Sequence, residues 1–390
     1  MSGVVFATEA VFEVDEQGRV WAMAGFGETL WSELLKVFDE VTIVARARRV
    51  AQSTLTVPVA DPRVTLFPLP FYQGPGQFVR AFPGLVARVR IAARLDGAFL
   101  LRLPGPVGTM LAAALKRGGR HYAVQLVGDP HDVLGGGGLG RGAARLRATV
   151  VTATQWAVRS GAAVAYVTGE TLQRRYPPGS TARALAASDI NLTPEWFGAP
   201  RATPRNDPPR LFLCGSLAQR YKGVDLLIDA TASLRAAGTP VEAVIAGDGR
   251  FRGELEEQAR RCGLTDEVRF LGAISAEAIR DELDRADLFV MPSRTEGMPR
   301  ALIEAMARGL PAVGSDVGGI VELLPPERRF AREDVAGFAA AIAALLGDRQ
   351  AYAAASERNL TLARSFAAEV LAPKRAAFYR AVRDMAEESR

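Results

Sequence analysis

The stretch DLFVMPSRTEGMPRALIEAMARGLPAVGS, residues 287–315, decides the fold of this chain. Its first six residues form a short, almost continuously apolar run, which is typical of a strand buried on both faces of a sheet. A loop containing glycine and proline follows, then a helix predicted over 299–308, then a second strand at LPAVGS. Strand, helix and strand in this order indicate a parallel sheet, because parallel neighbours need a crossover connection.

The same alternation runs through the rest of the second half. Strands are predicted over 210–215, 241–247 and 267–272, and each is followed by a helical pattern. Right-handed crossovers then give a doubly wound, Rossmann-like α/β domain. Ligands of such sheets bind beyond the carboxyl ends of the strands. The loops that follow these strands are therefore expected to converge on one crevice.

The first half repeats the pattern less regularly. Strands are predicted at GVVFATE, EVTIVAR, GAFLLRLP, YAVQLVG and AVAYVTG, with a helix at ETLWSELLKVFD. The Pro-rich stretch 199–210 is predicted to be a linker. We therefore expect one Rossmann-like domain over 1–200, a second over 207–372, and a final helix over 373–390.

Composition bounds the class of protein. Apolar residues make up 48% of the chain and charged residues 23%, as in ordinary globular proteins, and no apolar run is long enough to span a bilayer. The N-terminal sequence lacks the features of a signal peptide, so a cytoplasmic location is expected. The two cysteines, Cys214 and Cys262, lie in different predicted elements, which argues against a disulfide. No Cys/His cluster predicts a metal site.

The positive charge is concentrated in the first half. Residues 70–160 hold twelve Lys or Arg against three acids, whereas residues 201–390 hold 27 against 28. This surplus of basic residues forms either an ordinary solvated surface or a positively charged surface that binds a partner. An anionic membrane surface or a phosphorylated acceptor fits it better than nucleic acid, because no nucleic-acid-binding module is present. The segments 77–95 and 141–160 suit either of two roles. They are basic surfaces that contact a membrane, or core helices whose arginines reach outward to solvent. For each helix taken alone we favour the core helix.

The start of the helix at 299–308 has the features of an anion site. Pro299 suits the first helical turn, where its missing N–H is not needed. The free N–H groups near Arg300 and Ala301 point out of the helix, together with the positive end of its dipole. Gly297 lets a ligand approach the backbone closely. These features predict that a diphosphate docks at this helix start.

Two carboxylates flank the predicted anion site. Glu296 lies in the loop and Glu304 lies two turns along the helix. Both oxygens of a carboxylate accept hydrogen bonds, so these residues suit vicinal sugar hydroxyls. The alternatives are structural: Glu304 is four residues from Arg300 and suits a surface ion pair, and Glu296 suits a charge at a helix start.

The segment EGMPRALIE resembles the E-x7-E motif of retaining glycosyltransferases of family 4. The resemblance covers the second half through GSLAQRYKGVDLLIDA, VIAGDG, VRFLG and ADLFVMPSRTEGMPRALIEAMARGLPAVGSDVGGIVELL, in order and spacing. It implies the GT-B fold, an α/β architecture of two facing Rossmann-like domains in which the C-terminal helix packs back on the first. It also implies sugar transfer, such as hexosyl transfer, from a nucleotide-diphosphate sugar with retention and without a metal or other cofactor.

The resemblance assigns roles to residues of the second half. Glu296 is expected to contact the donor sugar and Glu304 the ribose of the donor. Lys222 is expected to reach the phosphates and stabilise the leaving nucleoside diphosphate; a surface lysine at a helix start is the alternative. The backbone amides of Arg300 and Ala301 match the diphosphate-binding positions.

Further donor-binding positions follow from the same resemblance. Ser216 stands where the family commonly has an arginine, so either Arg220 or Arg300 supplies the missing charge or leaving-group stabilisation is weaker. The remaining donor-binding positions are Gly247, Leu271, Gly297 and Met298. The loop at Gly247 is otherwise a plain turn.

The first half offers fewer matches. Gly25 and Gly27 precede a predicted helix and resemble in part the glycine-rich loop of the family, although some fifteen residues separate them from the first strand. A family histidine near the donor sugar and acceptor is displaced here to His131, for which an ordinary surface loop is the alternative. Asp129 is the other candidate, either as a ligand of acceptor hydroxyls or as a proton acceptor.

The sequence therefore predicts a retaining glycosyltransferase that makes a polysaccharide or glycolipid of the cell envelope, in the cytoplasm or at the inner face of the membrane. Its acceptor is a sugar, a lipid-linked precursor or a small molecule. The alternatives are a natural-product glycosyltransferase, a nucleotide-sugar epimerase of the same fold, and a catalytically silent subunit. Ser216 keeps the last alternative open, whereas Lys222 and Glu296 argue against it.

Overall fold

The chain forms two compact units in the computed structural model, which describes residues 2–130 and 141–388. The described part of the first unit comprises 2–130, 141–187 and 372–388, and the second unit comprises 188–371. Each unit is built around a parallel sheet with its own hydrophobic core.

Short strands and longer helices alternate along both units. In the first unit the elements are β1 (Gly3–Val14), β2 (Val20–Ala22), α1 (Glu28–Leu35), β3 (Glu40–Arg49), β4 (Val57–Pro58), β5 (Val64–Leu69), α2 (Gly74–Ala92), β6 (Ala98–Leu103), α3 (Pro106–Arg117), β7 (Ala123–Leu126), α4 (Arg141–Ser160), β8 (Ala163–Tyr166), α5 (Thr171–Arg175) and β9 (Arg183–Ala186). In the second unit they are β10 (Arg210–Cys214), α6 (Val224–Ala236), β11 (Glu242–Ala246), α7 (Arg252–Arg261), β12 (Val268–Gly272), α8 (Ala276–Arg285), β13 (Leu288–Met291), α9 (Arg300–Ala307), β14 (Ala312–Ser315), α10 (Ile320–Leu323), β15 (Arg329–Phe330), α11 (Val335–Gly347) and α12 (Arg349–Ala363).

The last helix, α13 (Ala368–Glu388), begins earlier than predicted. Pro373 lies inside it and does not start it. The residues of α13 from 372 onward belong to the first unit, where Arg375 pairs with Glu33 of α1 and Phe378 joins the core.

The sheet of the first unit has a parallel main path in the order β5-β3-β1-β6-β7-β8-β9. Trp31 of α1 and Phe378 of α13 pack on one face, against Val4 and Phe6 of β1. The alternate residues of β1 point to the other face. Helix α3 covers that face and packs against both α2 and α4.

The first strand is longer than predicted. β1 continues past an irregularity between Ala7 and Val11, then returns as antiparallel β2, on which β4 pairs. Glu13 near its end is fully buried and accepts hydrogen bonds from Ser53 Oγ and the N–H of Thr54. Burial opposes ionisation, but these hydrogen bonds lower the pKa of Glu13 to about 2. The fifteen residues before the glycine pair are therefore largely a β-hairpin.

The sheet of the second unit is entirely parallel, in the order β12-β11-β10-β13-β14-β15. The strands predicted for this half are confirmed, as are its crossover helices. The strand order reverses between β10 and β13. In doubly wound sheets such a reversal opens a crevice at the carboxyl ends of the two strands, and ligands bind there.

The segment 199–210 is docked on the second unit, whereas the sequence predicted a linker. Arg201 is buried, and its backbone N–H donates to Ser356 Oγ at 2.8 Å. The carboxylate of Asp287 accepts the backbone N–H of Arg205 at 2.6 Å. Proline-rich composition indicated an exposed chain, but these long-range contacts fix the segment in place.

Among the described residues, no helix combines the length and apolar composition needed to cross a membrane. The same residues hold no group of His, Cys, Asp and Glu suited to a metal ion. Both cysteines are free, and Cys214 is buried at the end of β10.

Candidate active site

Two predicted site residues meet where the strand order of the second unit reverses. Lys222 follows β10 and Glu296 follows β13, and Lys222 Nζ lies 2.7 Å from Glu296 Oε1. The hydroxyl of Ser293 donates to the same oxygen at 2.7 Å. Both charged side chains are largely buried, at 14% and 9% exposed. The reversal of strand order thus places a cation and an anion at the expected ligand position.

The environment of Lys222 keeps its side chain charged. Burial disfavours the ammonium form, but the neighbouring carboxylate of Glu296 holds the pKa of Lys222 above its ordinary value. Its stem lies across the end of β10, where a Cβ on Gly215 would come within 2.8 Å of Lys222 Cε. A larger residue at 215 would displace the lysine stem, so this glycine lets the lysine lie against the backbone.

Glu304 of α9 is a carboxylate without a partner. Within residues 2–130 and 141–388 its side chain makes no hydrogen bond or ion pair. Burial raises the pKa of Glu304 above its ordinary value, and Arg300 opposes the rise. The surface ion pair with Arg300 that the spacing suggested is not formed. A half-buried carboxylate that makes no internal hydrogen bond has its full capacity to accept hydrogen bonds from a ligand.

The start of α9 presents unused donors. The N–H groups of Leu302 and Ile303 bond to the carbonyl of Pro299, whereas those of Arg300 and Ala301 donate no hydrogen bond within the described part of the chain. The side chain of Arg300 is exposed and forms no ion pair with a described residue. This helix end therefore combines free N–H groups with a free guanidinium, as an anion site requires.

The pKa of the Cys214 thiol depends on the charged side chains near the end of β10. Burial raises the pKa of Cys214 to about 12, and the charge of Glu304 adds to the rise. Lys222 opposes the rise and Glu296 adds to it. All three charged side chains therefore act on the end of β10.

The loop that carries Glu296 is braced by a glycine pair after β14. The N–H of Gly319 donates to the carbonyl of Gly297 at 2.8 Å. Gly318 has φ +49°, and a Cβ there would lie 1.9 Å from the carbonyl oxygen of Glu296. A larger residue at 318 would displace the loop, so this glycine fixes the position of the Glu296 backbone.

Arg294 is a site residue that sequence reasoning missed. Its guanidinium binds Asp225 at the start of α6 through two bonds of 2.8 Å, and Glu333 after β15 through bonds of 2.6 and 2.9 Å. It also donates to the carbonyl of Arg220, and its backbone N–H donates to the carbonyl of Tyr221, both at 2.7 Å. Hydrogen bonds to Asp225 and Glu333 raise the pKa of Arg294 above its ordinary value. One side chain thus fastens the loop of Glu296 to the turn of Lys222.

Ser216 and Arg220 lie in the loop after β10. Ser216 stands where the family that the sequence resembles commonly has an arginine. The guanidinium of Arg220 pairs with Glu254 of α7 and lies 5.3 Å from the ring of Phe251. Ser216 is exposed, and its hydroxyl accepts the N–H of Ala218 at 3.2 Å. Arg220 is thus engaged by α7, and Arg300 is the better candidate for the missing charge.

The remaining predicted donor positions lie in strand-end segments of the second unit. The N–H of Gly247 donates to the carbonyl of Gly272, which joins the ends of β11 and β12. Met298 is buried beside the start of α9. Leu271 is half-buried near the end of β12. These positions are compatible with a nucleotide site, and none contributes a charge to it.

Asp129 has a different environment from the one predicted. Its carboxylate is buried, pairs with Arg175 of α5, and accepts the hydroxyl of Tyr176 at 2.6 Å. These contacts hold α5 against the end of β7. His131 lies outside the described residues.

The predicted glycine pair of the first unit flanks the start of α1. Gly25 lies in a short 3₁₀ turn, and Gly27 caps α1 without a side-chain hydrogen bond. A Cβ on Gly25 would meet no atom within 4 Å. No steric constraint therefore requires glycine at this position.

The crevice of the first unit contains a carboxylate that sequence reasoning missed. Glu9 lies at the irregularity of β1, and the strand order of this sheet reverses between β1 and β6. Its Oε2 accepts the N–H of Val107 at the start of α3 at 3.1 Å. Its Oε1 accepts the hydroxyl of Tyr72 and lies 3.2 Å from Arg46 Nε. Glu9 is the last residue of the first predicted strand, which could have suggested a site residue. Nothing else in the sequence distinguished it from an ordinary strand-ending charge.

Comparison with known proteins agrees with this geometry. Residues 208–348 match the family described as Glycosyl transferases group 1. The chain is 24% identical over 332 residues to Protein CapJ of Staphylococcus aureus, an alignment that covers 83% of this chain and 82% of CapJ. Over 185 residues it is 34% identical to the lipopolysaccharide core biosynthesis mannosyltransferase LpsB of Rhizobium meliloti (strain 1021), covering 44% of this chain and 52% of LpsB.

The likeness of fold extends over the whole chain. Anabaena HepE in complex with UDP-glucose superposes with a TM-score of 0.65 at 16% identity, covering 100% of both chains. The chain therefore has the GT-B fold of two Rossmann-like α/β domains. Its segment 208–348, which contains Lys222, Glu296 and Glu304, is the part of the chain that matches the group 1 glycosyltransferases.

Proposed function

We propose that this glycosyltransferase moves a sugar from a nucleotide-diphosphate sugar to an acceptor hydroxyl with retention of anomeric configuration. The observation that carries the proposal is the Lys222–Glu296 pair beside the unpartnered carboxylate of Glu304. Lys222, Glu296 and Glu304 suit the diphosphate, the transferred sugar and the ribose of such a donor, respectively. The UDP-glucose bound by HepE supports this class of donor.

Each part of the donor has a partner of suitable chemistry. The N–H groups of Arg300 and Ala301 receive the diphosphate, and Lys222 adds a positive charge. Glu304 accepts the ribose hydroxyls, and Glu296 accepts hydroxyls of the transferred sugar. The helix start, Lys222 and the guanidinium of Arg300 all supply positive potential at the leaving group. The proposal therefore needs no divalent metal.

The reaction breaks the bond between the anomeric carbon and the diphosphate and forms one to the acceptor oxygen on the same face. Negative charge develops on the departing phosphate, where Lys222, Arg300 and the helix end stabilise it. The departing phosphate oxygen takes the acceptor proton. A double displacement needs a free carboxylate at the reaction face. Asp129 is already paired, and Glu296 is held by Lys222 and Ser293, which favours the direct route.

The acceptor is proposed to be a polysaccharide or glycolipid precursor of the cell envelope, handled at the cytoplasmic face of the membrane. The lipopolysaccharide role in the name of LpsB supports this class. The silent-subunit alternative is disfavoured, because Lys222 and Glu296 are both present and in contact.

Replacing Glu304 with glutamine tests the donor site. The folded-state pKa of Glu304 is raised, so its ionised form is disfavoured in the folded protein, and the stability cost is present above that pKa and absent at acid pH. Glu304→Gln removes the cost, and we expect a higher melting temperature at neutral pH. The same change removes a charged acceptor and should weaken nucleoside diphosphate binding roughly tenfold to a hundredfold.

The measurement is thermal unfolding and calorimetric titration with UDP, GDP, ADP and TDP. One nucleotide should bind the native protein clearly best, and its affinity should fall as the pH drops through the raised pKa of Glu304. The matched control is Glu327→Gln, an exposed glutamate of the same unit, which should change neither quantity. A Glu304→Gln protein that is less stable and binds the nucleotide normally would assign this carboxylate a structural role.

A further inference from the structure

The exposed apolar side chains of the described chain are concentrated on two helices. Of the six large hydrophobic residues that are exposed among those whose burial is described, only Met23 lies elsewhere. The other five are on α2 and α4 of the first unit: Val79, Phe82, Ile91, Leu146 and Trp156. Val79 is 70% exposed. Single exposed hydrophobic residues are ordinary, but this concentration is not.

Arginines alternate with these apolar residues. On and just after α2 they are Arg80, Arg90 and Arg94, and on α4 they are Arg145, Arg147 and Arg159. None of the six forms an ion pair with a residue in the described ranges. The sequences of α2, α3 and α4 contain no aspartate or glutamate. The outer surface of these helices is thus cationic and apolar together.

Helix α3 joins the two exposed stripes into one surface. It packs between α2 and α4, and its outward residues Met110, Ala113 and Ala114 are half-exposed and uncharged. Lys116 and Arg117 at its C-terminal end are exposed. We call the outward surfaces of α2, α3 and α4 the three-helix face.

The three-helix face is distinct from the core-facing sides of the same helices. On α2 the buried residues are Leu85, Val89 and Ala92. The exposed positions 79, 83, 87, 90 and 94 follow one another at helical spacing on the outer side. On α4 the exposed positions 145, 149, 152, 156 and 159 do the same. Each helix therefore has an inner apolar stripe that builds the core and an outer stripe that meets no described partner.

We propose that the three-helix face docks the protein on the anionic surface of a lipid bilayer. Arginines supply attraction to acidic headgroups, and Val79, on the outer stripe of α2, can enter the boundary between headgroups and acyl chains. Trp156 has the amphipathic ring that favours this boundary. A nucleic acid would use the arginines but leave the aliphatic residues exposed, so it fits the face less well. The proposal is independent of sugar transfer, because bilayer binding is measured without turnover.

The test is co-sedimentation of the full chain with vesicles. One set is phosphatidylcholine alone, and the other contains equal parts of phosphatidylcholine and phosphatidylglycerol. We expect binding to the second set only, weakening as salt is added. Arg80→Gln/Arg90→Gln/Arg94→Gln should lower partitioning by about fivefold per arginine, or roughly a hundredfold together. Val79→Ser/Trp156→Ser should also lower it while leaving the arginines intact.

The control removes the same charge from other surfaces. Arg261, Arg349 and Arg380 are exposed and form no ion pair with a described residue, and Arg380 lies on α13, across the sheet from the three-helix face. Their triple glutamine variant should bind vesicles like the native protein. All the substituted side chains are exposed, so melting temperatures should stay unchanged. Equal loss in both triple variants, or no binding to the acidic vesicles, would overturn the proposal.

Discussion

Glu296→Gln is expected to lower donor turnover by about a hundredfold or more, because it removes the carboxylate proposed to contact the reacting sugar. The amide keeps the size of the side chain, so the loop held by Gly318 and Gly319 should keep its position. The measurement is release of nucleoside diphosphate from the preferred donor.

The same variant has a second expected effect on pH dependence. The carboxylate of Glu296 offsets the burial of Lys222, which otherwise lowers the lysine pKa. Without it, Lys222 should lose its proton at a lower pH. The residual turnover of Glu296→Gln should therefore decline at alkaline pH earlier than turnover of the native enzyme. Glu327→Gln is the matched control, and full turnover in Glu296→Gln would exclude Glu296 from the reaction.

Arg294→Lys is expected to cost about 1–3 kcal/mol of stability and to reduce turnover at least as strongly as it reduces stability. A lysine keeps the charge but cannot bind Asp225 and Glu333 through paired bonds while also reaching the carbonyl of Arg220. The turn that carries Lys222 and the loop that carries Glu296 then lose the hydrogen bonds that join them. Turnover and thermal unfolding are measured together, with kcat separated from KM.

Arg308→Lys separates positioning from general stability. Arg308 binds Asp284 through two bonds of 2.7 Å and reaches carbonyls at 195 and 196, but it lies beyond the C-terminal end of α9, away from the anion site. It should lose comparable stability and keep kcat. Equal kcat in both variants would show that Arg294 supports the fold alone.

The sheet of the second unit was predictable because its strands are short, apolar and followed by helices in a fixed order. That order also located the site, since ligands of a doubly wound sheet bind at the strand ends. Lys222 and Glu296 stand 74 residues apart in the chain, yet both follow strands that flank the reversal. Topology alone was therefore enough to bring them together.

The parts that could not be predicted depend on contacts between distant polar residues. Asp225 and Glu333 lie 69 and 39 residues from Arg294, and no local pattern indicates that they meet. The pairing of Asp129 with Arg175 was equally hidden, because the two residues are 46 positions apart in the chain. The end of β1 was misplaced because the predicted strand stopped at Glu9, beside the irregularity between Ala7 and Val11, whereas β1 continues to Val14.

The central claim, retaining transfer from a nucleotide sugar at the Lys222–Glu296 pair, is tested most directly by donor hydrolysis without acceptor. The full chain is incubated with UDP-, GDP-, ADP- and TDP-linked hexoses, and the anomeric proton of the released sugar is followed by NMR. We predict slow release from one nucleotide class, with the first-formed sugar in the configuration of the donor and release by Glu296→Gln slower by about a hundredfold or more. An inverted first product, or no release from any donor, would contradict the account.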